Sequence, residues 1–214
     1  MRGDVIIVED HHRRAAETIA AMLADVVAGR MRRTTISVAG ESGSGKSEMG
    51  AALVEAFEHV GIGGVVLGQD DYFVLPPRSN DRARRADITL VGPNEVLLDL
   101  LDDHLAKARS GASSIHKPLV VYAADAIEHE TISLVAARVV VAEGTYTTLL
   151  RNVDARVFIA RNRLETMDAR IRRAREPVDP FIEEVLKIEH EIIAAHRALA
   201  DVILDRDYGV EFVR

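Results

Sequence analysis

Residues Thr34 to Ser47 read T-T-I-S-V-A-G-E-S-G-S-G-K-S. Five of the first six are β-branched or apolar, Ser37 being the exception, and the run reads as a short buried strand. The last eight, Gly40, Glu41, Ser42, Gly43, Ser44, Gly45, Lys46 and Ser47, match the G-x-x-x-x-G-K-[ST] pattern at every fixed position. From Ser47 to Val60, Met49, Leu53, Ala56, Phe57 and Val60 fall on one helical face, and Gly61 supplies a stop. A strand, a glycine-rich turn and a helix in that order form a polyphosphate cradle. Glycines let successive N–H groups turn toward the ligand, and the helix adds its positive end. Lys46 is placed to reach the β- and γ-phosphates, and Ser47 to offer a hydroxyl to Mg²⁺.

Working outward, short Val- and Ile-rich runs recur at Gly64 to Leu67, Arg138 to Ala142, Arg156 to Ile159 and Asp201 to Leu204. Amphipathic helices are expected between them, from Asn94 to Ser110 and from about Pro180 through Leu199. Strands alternating with helices predict an α/β fold with a parallel sheet of the P-loop NTPase type and helices on both faces. Its ligands are expected beyond the carboxyl ends of the strands. An additional helix, Asp10 to Gly29, precedes the first strand with Ile19, Met22, Leu23 and Val26 as its stripe. That stripe is expected to pack on the domain or to form a contact between copies of the chain, a homo-oligomer. Two extended stretches, Pro118 to Tyr122 and Ile127 to Ser133, flank Ala123-Ala124-Asp125 and predict a β-hairpin over the site.

No linker or repeat divides residues 1–214, so one domain is expected, with 1–33 as a helical extension. No secretory signal and no apolar run of about 18 residues is present, which predicts a cytoplasmic protein without a membrane partner. The net charge of −7 opposes an extended nucleic-acid footprint, and the absence of cysteine excludes thiolate chemistry.

A P-loop alone does not separate a metabolite kinase from a regulatory ATPase that acts through a protein partner. The acidic groups favour the kinase. Gln69-Asp70-Asp71-Tyr72-Phe73 follows the second strand, placing carboxylates where one could take a proton from an attacking hydroxyl; Asp70 is the first choice and Asp71 the second. Val139 to Ala142 delivers Glu143 at a strand end, the position of a Walker-B-type metal support. Between Arg161 and Glu176, six arginines crowd a segment suited to close over ATP as a lid, about residues 161–177. Arg170 and Arg173, three apart, share a helical face there. His116 and His129 fall in the hairpin, whereas His11 and His12 sit beside arginines and read as solvated.

In this order, the GESGSGKS loop, the QDDYF block, VVVAEGTY, the arginine segment and ADVIL resemble the uridine kinase and phosphoribulokinase family of P-loop kinases. The resemblance implies ATP and Mg²⁺ as cofactors, Asp70 as base, Glu143 near the metal and the arginine segment as the lid. It also implies an acceptor near Asp70, Tyr72 and Tyr122, with His129 at a position where family members keep a histidine. Where uridine kinases carry an aspartate-histidine-proline segment, this chain reads Leu90-Val91-Gly92-Pro93-Asn94, and Tyr122 is followed by Ala123 rather than an aspartate. The acceptor is therefore open among nucleosides, sugars, sugar phosphates and other small alcohols.

Overall fold

The computed structural model describes residues 1–3, 5–161, 165 and 179–214. Six strands form one sheet, β1 (Thr34–Gly40), β2 (Gly64–Gly68), β5 (Val139–Glu143), β6 (Ala155–Ile159), β7 (Val202–Leu204) and β8 (Val210–Phe212), in the order β2-β5-β1-β6-β7-β8. Every pairing is parallel except β7 with β8. Both β1 and β5 are buried at every residue, which is why they read as unbroken apolar runs rather than alternating ones.

Helices α1 (Asp10–Gly29) and α2 (Lys46–His59) cover one face, packing Ile19, Leu53 and Phe57 against Ile36, Val139 and Val157. On the other face, α4 (Leu98–Arg109) packs Leu101 and Leu105 with Tyr72, Val140 and Phe158. The helix α5 (Pro180–Ile193) adds Ile193 to that second core and begins at Asp179, whose carboxylate accepts from Phe181 N at 2.9 Å.

Several boundaries move. The helix expected from Asn94 begins at Leu98, because Pro93 to Glu95 closes a separate 3₁₀ turn. Past Ile193 the chain tightens into 3₁₀ geometry and leaves Leu199 exposed. On α1 the buried stripe is Ala15, Ala16, Ile19, Ala20 and Val27; Met22 and Val26 face outward. Small alanines let this helix lie close on α2, so the buried side is the alanine side and not the bulkier one.

The hairpin is present: β3 (Ser114–Val121) pairs antiparallel with β4 (Ala126–Ser133) around Asp125, which adopts φ 50°. An unforeseen helix, α3 (Pro77–Ala86), follows the aspartate block. It buries no residue, so no apolar period marks it. Polar bonds hold it instead: Asp125 Oδ1 accepts from Arg78 N at 2.7 Å, and Arg84 forks onto Glu95 at 2.5 and 2.9 Å.

Candidate active site

The phosphate loop leaves β1 at Gly40 and enters α2 at Lys46. Gly43 and Gly45 adopt φ 74° and 93°, left-handed values that a side chain would resist. Lys46 Nζ lies across the loop and donates to Glu41 O at 2.7 Å. Glu41 is itself engaged from α5, its Oε1 2.6 Å from His190 Nδ1. That second contact joins residues 149 apart, and the sequence carries no signal for it.

At the neighbouring strand end, Ser47 Oγ donates to Glu143 Oε2 at 3.2 Å. Glu143 is almost fully buried, and burial followed by the charge of Asp70 pushes its carboxyl up to about 7, against Lys46 and the Ser47 bond. Gly144 follows with φ 156°, and a Cβ there would overlap the Gln69 side chain. Gln69 uses that closeness, because its Oε1 accepts from Tyr146 N at 2.7 Å. The QDDYF and EGTY blocks therefore lock together.

The 3₁₀ turn Gln69–Tyr72 sends its two aspartates in different directions. Asp71 points inward to Lys117 Nζ at 2.5 Å, to Val120 N at 2.9 Å and to the Met1 amine at 3.1 Å. Lys117 is buried and also meets Glu130 at 3.0 Å. Asp70 opens onto the cleft and is exposed there, and desolvation by the surrounding protein still raises its carboxyl above the usual range, against the Lys46 ammonium. Two carboxylates and a hydroxyl gathered beside a phosphate loop form a hard-oxygen donor set, and their mutual repulsion is of the kind a divalent cation relieves.

One cleft of about 590 Å³ is shared by Ser42 and Gly43 of the loop, by Asp70 and by Tyr122. The unforeseen α3 supplies its wall through Asn80 and Arg78, and α5 contributes Glu189. Inside that wall Arg84 joins Glu95 and Glu189, the latter at 3.3 Å.

Three sequence expectations need correction. Tyr72 does not face the cleft: it is fully buried, its hydroxyl 2.9 Å from His104 Nδ1, and burial raises its phenol further. His129 lies on the outer face of the hairpin, stacked on His116 with centroids 5.2 Å apart. Lys117, on the opposite strand face, is the hairpin residue that turns inward to the aspartate block. His12 is not solvated but 5% exposed, bonded to the Tyr208 hydroxyl at 3.1 Å. The lid arginines Arg163, Arg170, Arg172, Arg173 and Arg175 lie outside the described residues. Arg161 is described, with its guanidinium 5.8 Å from the centre of the Tyr208 ring. No helix among the described residues is long and apolar enough to cross a membrane.

Comparison with known proteins speaks to the family and the fold. A bifunctional alpha-galactosidase/sucrose kinase of Mediterraneibacter gnavus is 30% identical over 192 residues, which are 83% of this chain. The chain spans about a fifth, 20%, of that relative's length. A D-glycerate 3-kinase from Cryptococcus neoformans superposes with TM-score 0.62 at 14% identity, covering 96% of this chain and 100% of the other. A phosphoribulokinase from Rhodobacter spheroides gives TM-score 0.62 at 12% identity, covering 81% of this chain and 70% of that one. At such identities the two structures speak to the fold. Residues 35–173 match the model of the Phosphoribulokinase / Uridine kinase family, well over half of the chain, and the chain belongs to that family of P-loop kinases.

Proposed function

We propose that the chain transfers the γ-phosphoryl group of ATP, with Mg²⁺, to a hydroxyl of a small polar metabolite, a sugar in the first instance. The observation that carries this reading is the shared cleft. The phosphate loop at Ser42 and Gly43 and the carboxylate of Asp70 face one space of about 590 Å³, a volume suited to a small-molecule site. In-line transfer needs positioning and charge neutralisation more than covalent chemistry.

The loop amides and Lys46 hold the phosphates, and Lys46 exchanges its bond to Glu41 O for phosphate oxygen. Ser47 and Glu143 hold Mg²⁺, which when bound offsets phosphate charge. Asp70 accepts the acceptor's proton as the hydroxyl attacks. Asp71 does not compete for that task, since Lys117 and Val120 N occupy its oxygens. Arg170 and Arg173 complete the reading as donors that neutralise the transferring group.

A sugar acceptor is supported by the sucrose kinase half of the relative's name. The cleft wall carries Asn80, Glu189 and Arg78, which offer hydrogen-bond partners to sugar hydroxyls, beside apolar surface from Phe73, Leu75 and Phe181. The test is ATP consumption with Mg²⁺ against sugars, sugar phosphates, hydroxy acids and nucleosides, with a no-acceptor control and a Lys46→Ala enzyme. Stimulation by a sugar, absent in Lys46→Ala, is expected. Stimulation by nucleosides alone would move the acceptor class, and one slow rate in every well would overturn the phosphotransferase reading.

A further inference from the structure

Behind the phosphate loop, on the side away from the cleft, a chain of hydrogen bonds runs from α1 to Ser44. A backbone N–H can only donate, so the bond from Glu9 N to His12 Nδ1 at 3.1 Å makes that nitrogen an acceptor and leaves the ring proton on Nε2. His12 Nε2 then donates to the Tyr208 hydroxyl at 3.1 Å, and Tyr208 Oη donates onward to Ser44 O at 2.5 Å. His12 and Tyr208 are 5% and 6% exposed, so water does not compete for either bond.

Two backbone features show that this contact is built. Tyr208 adopts φ 64°, a left-handed conformation that an aromatic L-residue takes only when its surroundings impose it. Asp205 imposes it here, accepting at Oδ1 from Asp207 N and Gly209 N, both at 2.8 Å, while its carbonyl accepts from Tyr208 N at 3.1 Å. On the loop side, a Cβ on Gly45 would overlap the Tyr208 hydroxyl. Glycine at this motif position is therefore required by close approach as well as by its φ of 93°.

We propose that Tyr208 and His12 are positioning residues for the nucleotide phosphates. In a planar trans peptide the C=O and the following N–H point in opposite directions. Holding the Ser44 carbonyl toward Tyr208 turns the Gly45 N–H away from the α1 side, toward the space the loop encloses. The strained turn between β7 and β8 and the N-terminus of α1 thus set the direction of a phosphate-binding amide from behind. This inference rests on the phosphotransferase reading above, because it presumes that a polyphosphate occupies the loop.

The test compares wild type with Tyr208→Phe, His12→Leu and His12→Gln, in direct binding of Mg·ADP and of adenosine and in steady-state kinetics. Tyr208→Phe is expected to melt within about 4 °C of wild type. It is expected to weaken Mg·ADP binding and raise the KM for ATP by roughly fivefold to tenfold, while the acceptor KM and adenosine binding stay put. His12→Leu should follow it. His12→Gln, which keeps an N–H for the Tyr208 oxygen, should recover most of the loss, a rescue that packing alone does not predict. Wild-type Mg·ADP affinity in both Tyr208→Phe and His12→Leu would overturn this inference while leaving the phosphotransferase reading intact. A wild-type chain that binds no Mg·ADP would overturn that reading and the inference with it.

Discussion

Ser47 at the start of α2 and Glu143 at the end of β5 meet side chain to side chain, Oγ to Oε2 at 3.2 Å, although 96 positions separate them. Parallel pairing of β1 with β5 brings the two strand ends level, with Val38 opposite Glu143. The pair is read as the metal support, and Glu143→Gln keeps its shape while removing its charge. The half-saturating Mg²⁺ concentration for ATP consumption is expected to rise by about 10–100-fold, the range seen when groups around a bound metal are altered. An unchanged Mg²⁺ titration in the variant would move the metal elsewhere.

The two aspartates of the QDDYF block should separate chemistry from stability. Asp70→Asn is expected to retain nucleotide binding and melting temperature while turnover falls by roughly 10²–10⁴-fold, the usual share of a general base. Asp71→Asn leaves the buried Lys117 ammonium with Glu130 and the Pro118 carbonyl for partners. Stripping a buried charge of its main partner costs about 3 kcal/mol, which corresponds to roughly 6–12 °C of melting temperature for a chain of this size. Thermal melts and turnover measured on both variants decide the assignment, and a stable, inactive Asp71→Asn would reverse it.

How far the sequence reveals this molecule depends on what holds each part. Strands β1, β2, β5, β6 and β7 and helices α1, α2, α4 and α5 are stabilised by burial, so their apolar periods expose them. The phosphate loop is legible because its glycines answer to backbone geometry at Gly43 and Gly45. Helix α3 is not, since it buries nothing and stands on ion pairs to Glu95, Asp125 and Asp179. Tyr72 misleads for a local reason: a 3₁₀ turn has about three residues per turn, so a side chain two past Asp70 points away from the cleft and into the core. The links from Tyr208, His12 and His190 to the loop are contacts between distant positions, which no local pattern encodes.

Because α3 rests on polar bonds, its weakest replacement is foreseeable. Arg84 bridges Glu95 and Glu189, while Asn80 and the Gly92 amide also donate to Glu95, at 2.9 and 2.8 Å. Arg84→Met is expected to destabilise the chain by about 3–5 kcal/mol, the cost of leaving buried carboxylates without their cation. Arg84→Lys should recover only part of this, because an ammonium lacks the planar fork that meets both Glu95 oxygens. Urea midpoints compare the three proteins. Equal midpoints would mean that the bridge contributes nothing and that α3 is held by other contacts.

Asp154 offers a test by pH, far from the cleft. Its carboxylate accepts from Arg32 at 2.6 and 2.8 Å, from Thr35 N at 3.0 Å and from Thr35 Oγ1 at 3.1 Å, with Arg30 also 3.0 Å away. Burial alone would raise its pKa. The Arg32 and Thr35 bonds, with the charges of Arg109 and Arg30, outweigh burial and hold the carboxyl well below the usual carboxylate range. A pKa lower in the folded than in the unfolded chain stabilises above the unfolded value of about 3.9. That contribution is lost as pH falls from there through the folded value. Asp154→Asn should therefore cost of order 2 kcal/mol at pH 7, the scale of a charge-assisted bond lost from a partly buried cluster. The gap to wild type should hold at pH 5 and narrow steadily below about pH 4, where wild type itself takes up the proton on unfolding. Urea midpoints at pH 7, 5 and 3.5 follow the gap; one that stays constant to pH 3.5 would mean that ionisation of Asp154 is not what ties β1 to the β6 entry.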